Sequence, residues 1–429
     1  MARSNTKTGG RVATSGVIPG RWALSVGDPE TPTPEGFSWT RLSDVARLES
    51  GHTPSRKKDE YWNGEIPWIG IRDATENHGR VITSTKQWIS EEGLNNSSAR
   101  LLPAGTVCLS RTASVGYVIT MGIPMATSQD FINWVCGAQL SAKYLHYILM
   151  SEQEAIRRFA HGTTHQTVYF PEAKAFHVCI PERPEQDAIV SALGALDDKI
   201  AVNESITNTA LTLANSVFES EALGVSLGED TFGSVARVAG GGTPKTKEDN
   251  YWGGDVAWAT PKDITALESP YLFKTGRTIT PLGLENCASE IYPAQSIFMT
   301  SRATIGAFAL PQIPAAVNQG FIVVIPPTDD LRWWLFHEMR SRVDEMLSLA
   351  NGSTFLELSR KNFKAMPVRM PEPEVLQRFS SRVKPLHESA RNAASESRTL
   401  AELRDTLLPQ LMSGKLRVKD AEKIVEDNV

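Results

Sequence analysis

Apolar positions along this chain fall into two regimes that alternate twice. Short β-branched or aromatic runs at residues 106–109, 117–119 and 131–135 are separated by glycine and proline, the pattern of strands. A helix is predicted next, because Tyr144, Leu145, Ile148, Leu149, Ile156 and Phe159 share one helical face. Beyond a proline boundary the spacing changes. From about Pro184 to about Leu223, the residues Ile189, Leu193, Leu196, Ile200, Asn203, Thr207, Ala210, Ala214 and Val217 recur at steps of three and four.

The cycle then repeats. Strand-like runs recur at 296–299, 307–309 and 321–325, and Trp334, Leu335, Met339, Met346 and Leu349 form a second helical face. A second long helix is predicted from near Pro373 to about Ser413, with Leu376, Phe379, Val383, Leu386, Ala390, Ala393, Ser397, Leu400, Arg404, Leu407 and Leu411 on its seam. Sustained heptad register over more than four heptads favours a coiled coil over ordinary amphipathic helices, and two seams in one chain can pair with each other. About 35 residues of helix would reach on the order of 50 Å. Pro385 lies inside the second helix and is expected to bend it, since proline lacks the amide N–H and crowds the preceding turn.

The repeat is also literal. Val45-Ala-Arg-Leu-Glu-Ser-Gly-His-Thr-Pro54 answers Val235-Ala-Arg-Val-Ala-Gly-Gly-Gly-Thr-Pro244, and Asp59-Glu-Tyr-Trp-Asn-Gly-Glu-Ile-Pro-Trp68 answers Asp249-Asn-Tyr-Trp-Gly-Gly-Asp-Val-Ala-Trp258, at a constant offset of 190 residues. The offset holds through Asp73 and Asp263, Gly116 and Gly306, and Gln129 and Gln319. The seams keep the same offset, so globular module and helix repeat as one unit. The division expected is a flexible segment at 1–35, a module at 36–182, a helical spacer at 183–224, a second module at 225–371, a second spacer at 372–414 and a tail at 415–429.

Composition narrows the class. At 429 residues and 41% hydrophobic, the chain can bury several ordinary cores. No stretch approaches the roughly 20 apolar residues of a membrane span, and residues 1–20 lack the apolar core of a signal peptide, so a cytoplasmic location is expected. The cysteines Cys108, Cys136, Cys179 and Cys287 lack zinc-site spacing and read as buried thiols. A net charge of −5, with acidic and basic residues balanced in each module, argues mildly against a protein that holds nucleic acid by bulk charge. Basic residues gathered on one face could still do so.

Enzyme signatures are missing. There is no phosphate-binding G-x-x-x-x-G-K-[ST] loop, no H-E-x-x-H zinc helix, no G-x-S-x-G elbow, and no Asn or Asp before Pro-Pro-aromatic. His161 and His165 bracket a Gly-Thr-Thr sequence, but their counterparts are Asn351 and Phe355, which disfavours a metal pair. Gly240-Gly-Gly-Thr-Pro244 reads as a tight turn rather than a phosphate cradle. Trp68 and Trp258 read as core, while Trp62 and Trp252 are open to either packing or base stacking.

With these motifs in order, the chain resembles the specificity subunit of type I restriction-modification systems from about Gly36 to Val418. The marks are G-x-T-P followed by Tyr-Trp-x-Gly and Trp (Gly51 to Trp68, Gly241 to Trp258), the Ser-Arg strand-turns (Ser110 to Gly116, Ser301 to Gly306), Gln129 and Asn318-Gln319, and the closing Leu403-Arg-Asp-Thr-Leu-Leu-Pro-Gln-Leu-Met-Ser-Gly-Lys-Leu416. The resemblance implies an α+β fold: two similar mixed α/β target-recognition domains in a pseudo-twofold arrangement, separated by two long helices forming an antiparallel coiled coil. It implies no catalytic activity in this chain, two modification (methyltransferase) subunits docked on the helices, and restriction (translocase/endonuclease) subunits joining through them. S-adenosylmethionine, and ATP with magnesium, would be bound by those partners; no cofactor, metal or membrane is expected here.

Each module would read half of an asymmetric, split double-stranded DNA site, with half-sites about one turn apart, roughly 34 to 36 Å. Candidate contacts are Arg56, Lys57, Lys58, Arg72 and Arg111 in the first module and Lys245, Lys247, Lys262 and Arg302 in the second, serving phosphates or guanine edges. Arg111 and Arg302, matched across copies, equally fit holding a strand-turn. Gln129 and Gln319 could serve adenine or, being shared, a structural hydrogen bond; Thr163, Thr164, Ser353 and Thr354 could contact either base or backbone. Partner docking is assigned to Ile189, Leu193, Leu196, Ile200, Leu400, Leu403, Leu407 and Leu411. The competing reading is a duplicated protein-binding scaffold without DNA readout.

Overall fold

A computed structural model describes residues 16–112, 114–162, 166–351 and 356–428. The chain divides into two compact units, Met1–Asp198 with Leu400–Val429, and Lys199–Thr399. No helix among the described residues is long and apolar enough to cross a membrane.

The first unit is built on a five-stranded sheet ordered Ala46–Ser50, Phe131–Cys136, Val107–Ser110, Val118–Met121, Val81–Ile82. All neighbours are antiparallel except the last, parallel pair. Val107, Cys108, Leu109, Val118 and Ile119 are fully buried, which is why these runs read as continuously apolar rather than alternating. A three-stranded sheet joins Ala126–Thr127, Trp62–Ile69 and Gln87–Ile89. A third sheet orders Ile18–Pro19, Leu24–Val26, Phe176–Pro181 and Phe37–Arg41.

The second unit repeats this at the same offset. Its five-stranded sheet runs Arg237–Ala239, Phe321–Ile325, Ile297–Thr300, Phe308–Pro311, Tyr271–Leu272, and its three-stranded sheet joins Arg277–Ile279, Trp252–Ala259 and Ala316–Val317. Even an irregularity is copied: the register shift between Trp62 and Ile66 against Ile89 recurs between Trp252 and Val256 against Ile279.

The single helix expected after the strands is two in each unit, Ala142–Ser151 with Gln153–Phe159 and Asp329–Ser341 with Val343–Ser348. The residues at the breaks, Glu152 and Arg342, do different work. Glu152 is fully buried. Its carboxylate accepts the amides of Arg21 at 2.7 Å, Trp22 at 2.5 Å and Ala23 at 2.6 Å, and so holds an N-terminal strand against the sheet. Arg342 instead pairs with Glu338 at 3.1 Å and Glu345 at 2.7 Å and donates to the Pro367 carbonyl, and among the described residues the matching sheet joins Leu227–Thr231 and Pro367–Arg369. Within the segment expected to be flexible, Ile18–Pro19 and Leu24–Val26 are strands and residues 23–26 are buried, because a carboxylate about 130 positions away accepts the amides of the turn between them. Within the tail, Val418–Asn428 is a helix.

The two long helices, Arg183–Ala222 and Pro373–Met412, have 40 residues each. The second runs unbroken through Pro385. In the second unit their stretches are antiparallel: Asn203 donates to Glu396 at 2.8 Å, the Thr207 hydroxyl to the Ala390 carbonyl at 3.2 Å, and Glu221 pairs with Arg378 at 2.8 Å. Ala210, Ala214, Val217, Phe379, Val383 and Ala390 share one core with the module. Buried Asn203 and Thr207 interrupt that seam with polar groups, a device that fixes register. In the first unit Arg404 pairs with Asp197 at 2.9 Å.

Candidate nucleic-acid interface

Each unit presents a loop clasped by two tryptophans. In the first, Trp62 and Trp68 meet edge to face at 5.2 Å and 83°. The Trp68 indole donates to the His52 carbonyl at 3.0 Å and the Trp62 indole to the Ser55 carbonyl at 3.2 Å, so both rings fasten residues 51–58. The second unit copies the clasp, with Trp252 and Trp258 at 5.1 Å and 82°, Trp258 on the Gly242 carbonyl at 3.1 Å and Trp252 on the Lys245 carbonyl at 3.3 Å. Trp68 and Trp258 are each 3% exposed and belong to the core. Trp62 and Trp252 are half-buried, with a guanidinium over the remaining face.

The G-x-T-P motif has a packing reason. A Cβ at Gly51 would fall 2.1 Å from the Ser128 carbonyl oxygen, and one at Gly241 would fall 1.9 Å from that of Val317, so only glycine lets the loop approach so closely. The threonine of the motif closes the clasp. Thr53 donates to Gln129 Oε1 at 2.6 Å, and Thr243 donates to Gln319 Oε1 in the same way. Gln129 and Gln319 thus make the structural hydrogen bond that a residue shared by both copies can make, and their carbonyl oxygens are already engaged.

The basic candidates separate by partner. Arg56 lies 4.4 Å over Trp62 and donates to Gln87 Oε1 at 3.0 Å. Lys58 reaches the Tyr61 hydroxyl at 2.9 Å, a hydrogen bond that raises its pKa. Lys57, Arg72, Lys245, Lys247 and Lys262 are exposed. Arg111 donates to the Gln129 carbonyl at 2.9 Å and stacks on Phe170, and Arg302 pairs with Glu357 at 2.8 Å. Both arginines therefore brace their strand-turns. Thr163, Thr164, Ser353 and Thr354 lie outside the described residues.

An open cavity of about 610 Å³ beside the first clasp is lined by Arg56, Asp59, Trp62, Asn63, Lys86, Gln87 and Trp88 among others. Lys86, Gln87 and Trp88 were not singled out from the sequence. Arg277, 3.6 Å over Trp252, was missed as well, although the 190-residue offset pairs it with Gln87. The residues assigned to partner docking are corrected by their burial: Ile189, Leu193, Leu196, Leu400, Leu407 and Leu411 are at most 3% exposed inside the chain's own core, and Ile200 and Leu403 are half-buried. A heptad seam that closes on its own chain offers no free surface. The exposed aliphatics of the first long helix are instead Val202, Ile206 and Leu213, at 53%, 40% and 50%.

Among the described residues no group of three His, Cys, Asp or Glu is placed to hold a metal ion, and His161 sits 3.8 Å from the Glu172 carboxylate. The four cysteines are free, and burial pushes the Cys179 thiol up to about 11.

Comparison with known proteins agrees with this architecture. The model of the type I restriction modification DNA specificity domain matches twice, over residues 34–212 and 229–396. The chain is 24% identical to the specificity subunit of the MjaIX type I restriction enzyme of Methanocaldococcus jannaschii, over 90% of this chain and 95% of that one. It is 31% identical to the EcoprrI specificity subunit of Escherichia coli over 38% of this chain and 42% of that one. The crystal structure of a type I restriction-modification S subunit from M. genitalium shares the fold, with a TM-score of 0.56 at 16% identity, covering 89% of this chain and 98% of that one. Two matched domains, each with a tryptophan-clasped loop and its share of the paired long helices, place this chain in the type I restriction-modification DNA specificity family.

Proposed function

We propose that the chain is the sequence-recognition subunit of a type I restriction-modification complex, with each unit reading one half of an asymmetric, bipartite site in double-stranded DNA. The observation that carries this is the clasp: one framework built twice, with different side chains set on it. The shared parts, Trp62 with Trp252, Trp68 with Trp258 and Gln129 with Gln319, hold the loops. The parts that differ, including Arg56 against Thr246, Gln87 against Arg277 and Trp88 against Thr278, are exposed or half-exposed and polar or aromatic. Unlike groups on a common frame read unlike half-sites. Exposed Lys57, Lys245, Lys247 and Lys262 supply phosphate contacts without sequence preference.

In this reading chemistry belongs to partners. Modification subunits carry S-adenosylmethionine, restriction subunits use ATP with magnesium, and the whole works in the cytoplasm. The docking face on the first long helix is the exposed row Val202, Ile206 and Leu213 rather than the buried seam. Deleting the gene and mapping base methylation across the host genome tests the reading. Methylation is expected to vanish at one bipartite motif; an unchanged methylome contradicts it.

A further inference from the structure

Both units lay a guanidinium over the corresponding indole, but from different places in the chain. In the first unit it comes from the loop: Arg56 sits 4.4 Å over Trp62 and 5.4 Å from Trp68, and donates to Gln87. In the second unit the loop position is Thr246, and Arg277 takes the face at 3.6 Å over Trp252 and 5.8 Å from Trp258. Arg277 occupies the repeat position of Gln87, on the strand Arg277–Ile279 that pairs with the tryptophan strand. The indole hydrogen bonds, ring angle and strand register beneath are the same in both.

Several other arginines of the modules are held by carboxylates. Arg237 pairs with Glu290, Arg302 with Glu357 and Arg342 with Glu338. Among the described residues neither Arg56 nor Arg277 has a carboxylate within ion-pair distance. Both are exposed, and Arg56 borders the open cavity that Gln87, Asn63 and Asp59 also line, while Lys86 there is paired with Glu76. Stacking orients a guanidinium and leaves N–H donors at its edge, in Arg56 those beyond the one given to Gln87 Oε1. A fixed, unneutralised fork of that kind matches two acceptors side by side in one plane, as on the N7/O6 edge of guanine or on a phosphate.

Building on the recognition reading above, we propose that the tryptophan-stacked guanidinium, Arg56 in one unit and Arg277 in the other, is the guanine-reading element of its half-site. The move from loop to strand re-aims the same fork on the same platform. Gln87 and Trp88 in the first unit, absent from the second, make the two half-sites differ around it.

The test uses the chain assembled with its modification subunits and duplexes carrying its mapped motif. Arg56→Ala should weaken cognate binding roughly tenfold or more and erase preference at one guanine in the first unit's half-site, with thermal unfolding unchanged. Replacing that guanine by 7-deazaguanine should weaken the wild type but not Arg56→Ala. Arg56→Thr with Gln87→Arg, which rebuilds the second unit's arrangement on the first, should recover binding that Arg56→Thr alone loses. Loss uniform across sequences with a salt slope smaller by about one would assign the fork to a phosphate and overturn the guanine assignment. So would retained discrimination by Arg56→Ala in a complex whose wild type discriminates. A wild-type complex without sequence preference would refute the recognition reading itself.

Discussion

The imidazoles of His337 and His387 meet Nε2 to Nε2 at 3.0 Å in the second unit. His387 Nδ1 faces the Tyr271 hydroxyl at 2.9 Å and His337 Nδ1 faces Asn215 Oδ1 at 3.5 Å, so a chain from Tyr271 through both rings to Asn215 closes with each imidazole neutral. Subtracting the repeat offset gives Tyr147 and Asp197, whose hydroxyl and carboxylate meet at 2.5 Å in the first unit. The same joint between a module helix and a long helix is therefore made twice, by unrelated chemistry.

The histidine joint should make the second unit acid-sensitive. Burial pushes His337 down to about 3, and burial together with His337, Arg332 and Arg340 holds His387 well below its ordinary value. An unfolded histidine takes up a proton near pH 6.5, whereas these do not until the pH is far lower. Their contribution is thus fully present above about pH 6.5 and is lost as the pH falls toward 3. Hydrogen exchange within Lys199–Thr399 between pH 7.5 and 4.5 should show protection falling, and His337→Gln with His387→Gln should flatten that slope. His146, pushed to about 4 by burial, acts in the same direction in the first unit, so wild type and variant are compared within the second.

Tyr147→Phe should cost about 1–3 kcal/mol, because Asp197 keeps Arg404 but loses its hydroxyl donor. Denaturant unfolding followed by exchange across Ala142–Ser151 reads the loss. Unaltered protection there would show that the bond carries no weight.

Glu152→Ala should release the N-terminal strand. Removing a buried carboxylate that accepts three short backbone hydrogen bonds costs about 2 kcal/mol or more, and the loss is local. Amides of residues 21–26 should exchange at rates near those of an open chain, while the second unit keeps its protection. Persistence of protected amides at 22–24 would contradict the account.

Gln129→Ala and Gln319→Ala should each cost about 1 kcal/mol of stability and leave the preferred DNA sequence unchanged, since the clasp with Thr53 or Thr243 is what they provide. Methylation mapping of strains carrying each variant distinguishes the roles. A changed base at one position would make the glutamine a reader.

Substituting Val202, Ile206 and Leu213 together by glutamate should abolish co-purification with modification subunits at an unchanged melting temperature. Leu193→Ala should do the converse, costing about 2–5 kcal/mol from a fully buried site without breaking assembly in the folded fraction. Assembly unaffected by the triple variant would move the docking face elsewhere.

The duplication, the strand runs and the two helical seams were legible in the residues because they are set by local periodicity: strands and helices repeat their buried faces within a few positions. The same reading marked Trp68 and Trp258 as core from their apolar setting. It could not see that Glu152 would collect the amides of residues 21–23, that Thr53 would take Gln129, or that Arg277 would lie over Trp252, since each pair is joined only where segments distant in sequence return to one another. The seams show the limit most plainly. Periodicity marked Leu193 and Leu407 as faces that must be covered, and only the tertiary structure decided that the chain itself covers them, because burial depends on what arrives opposite a face and not on the face.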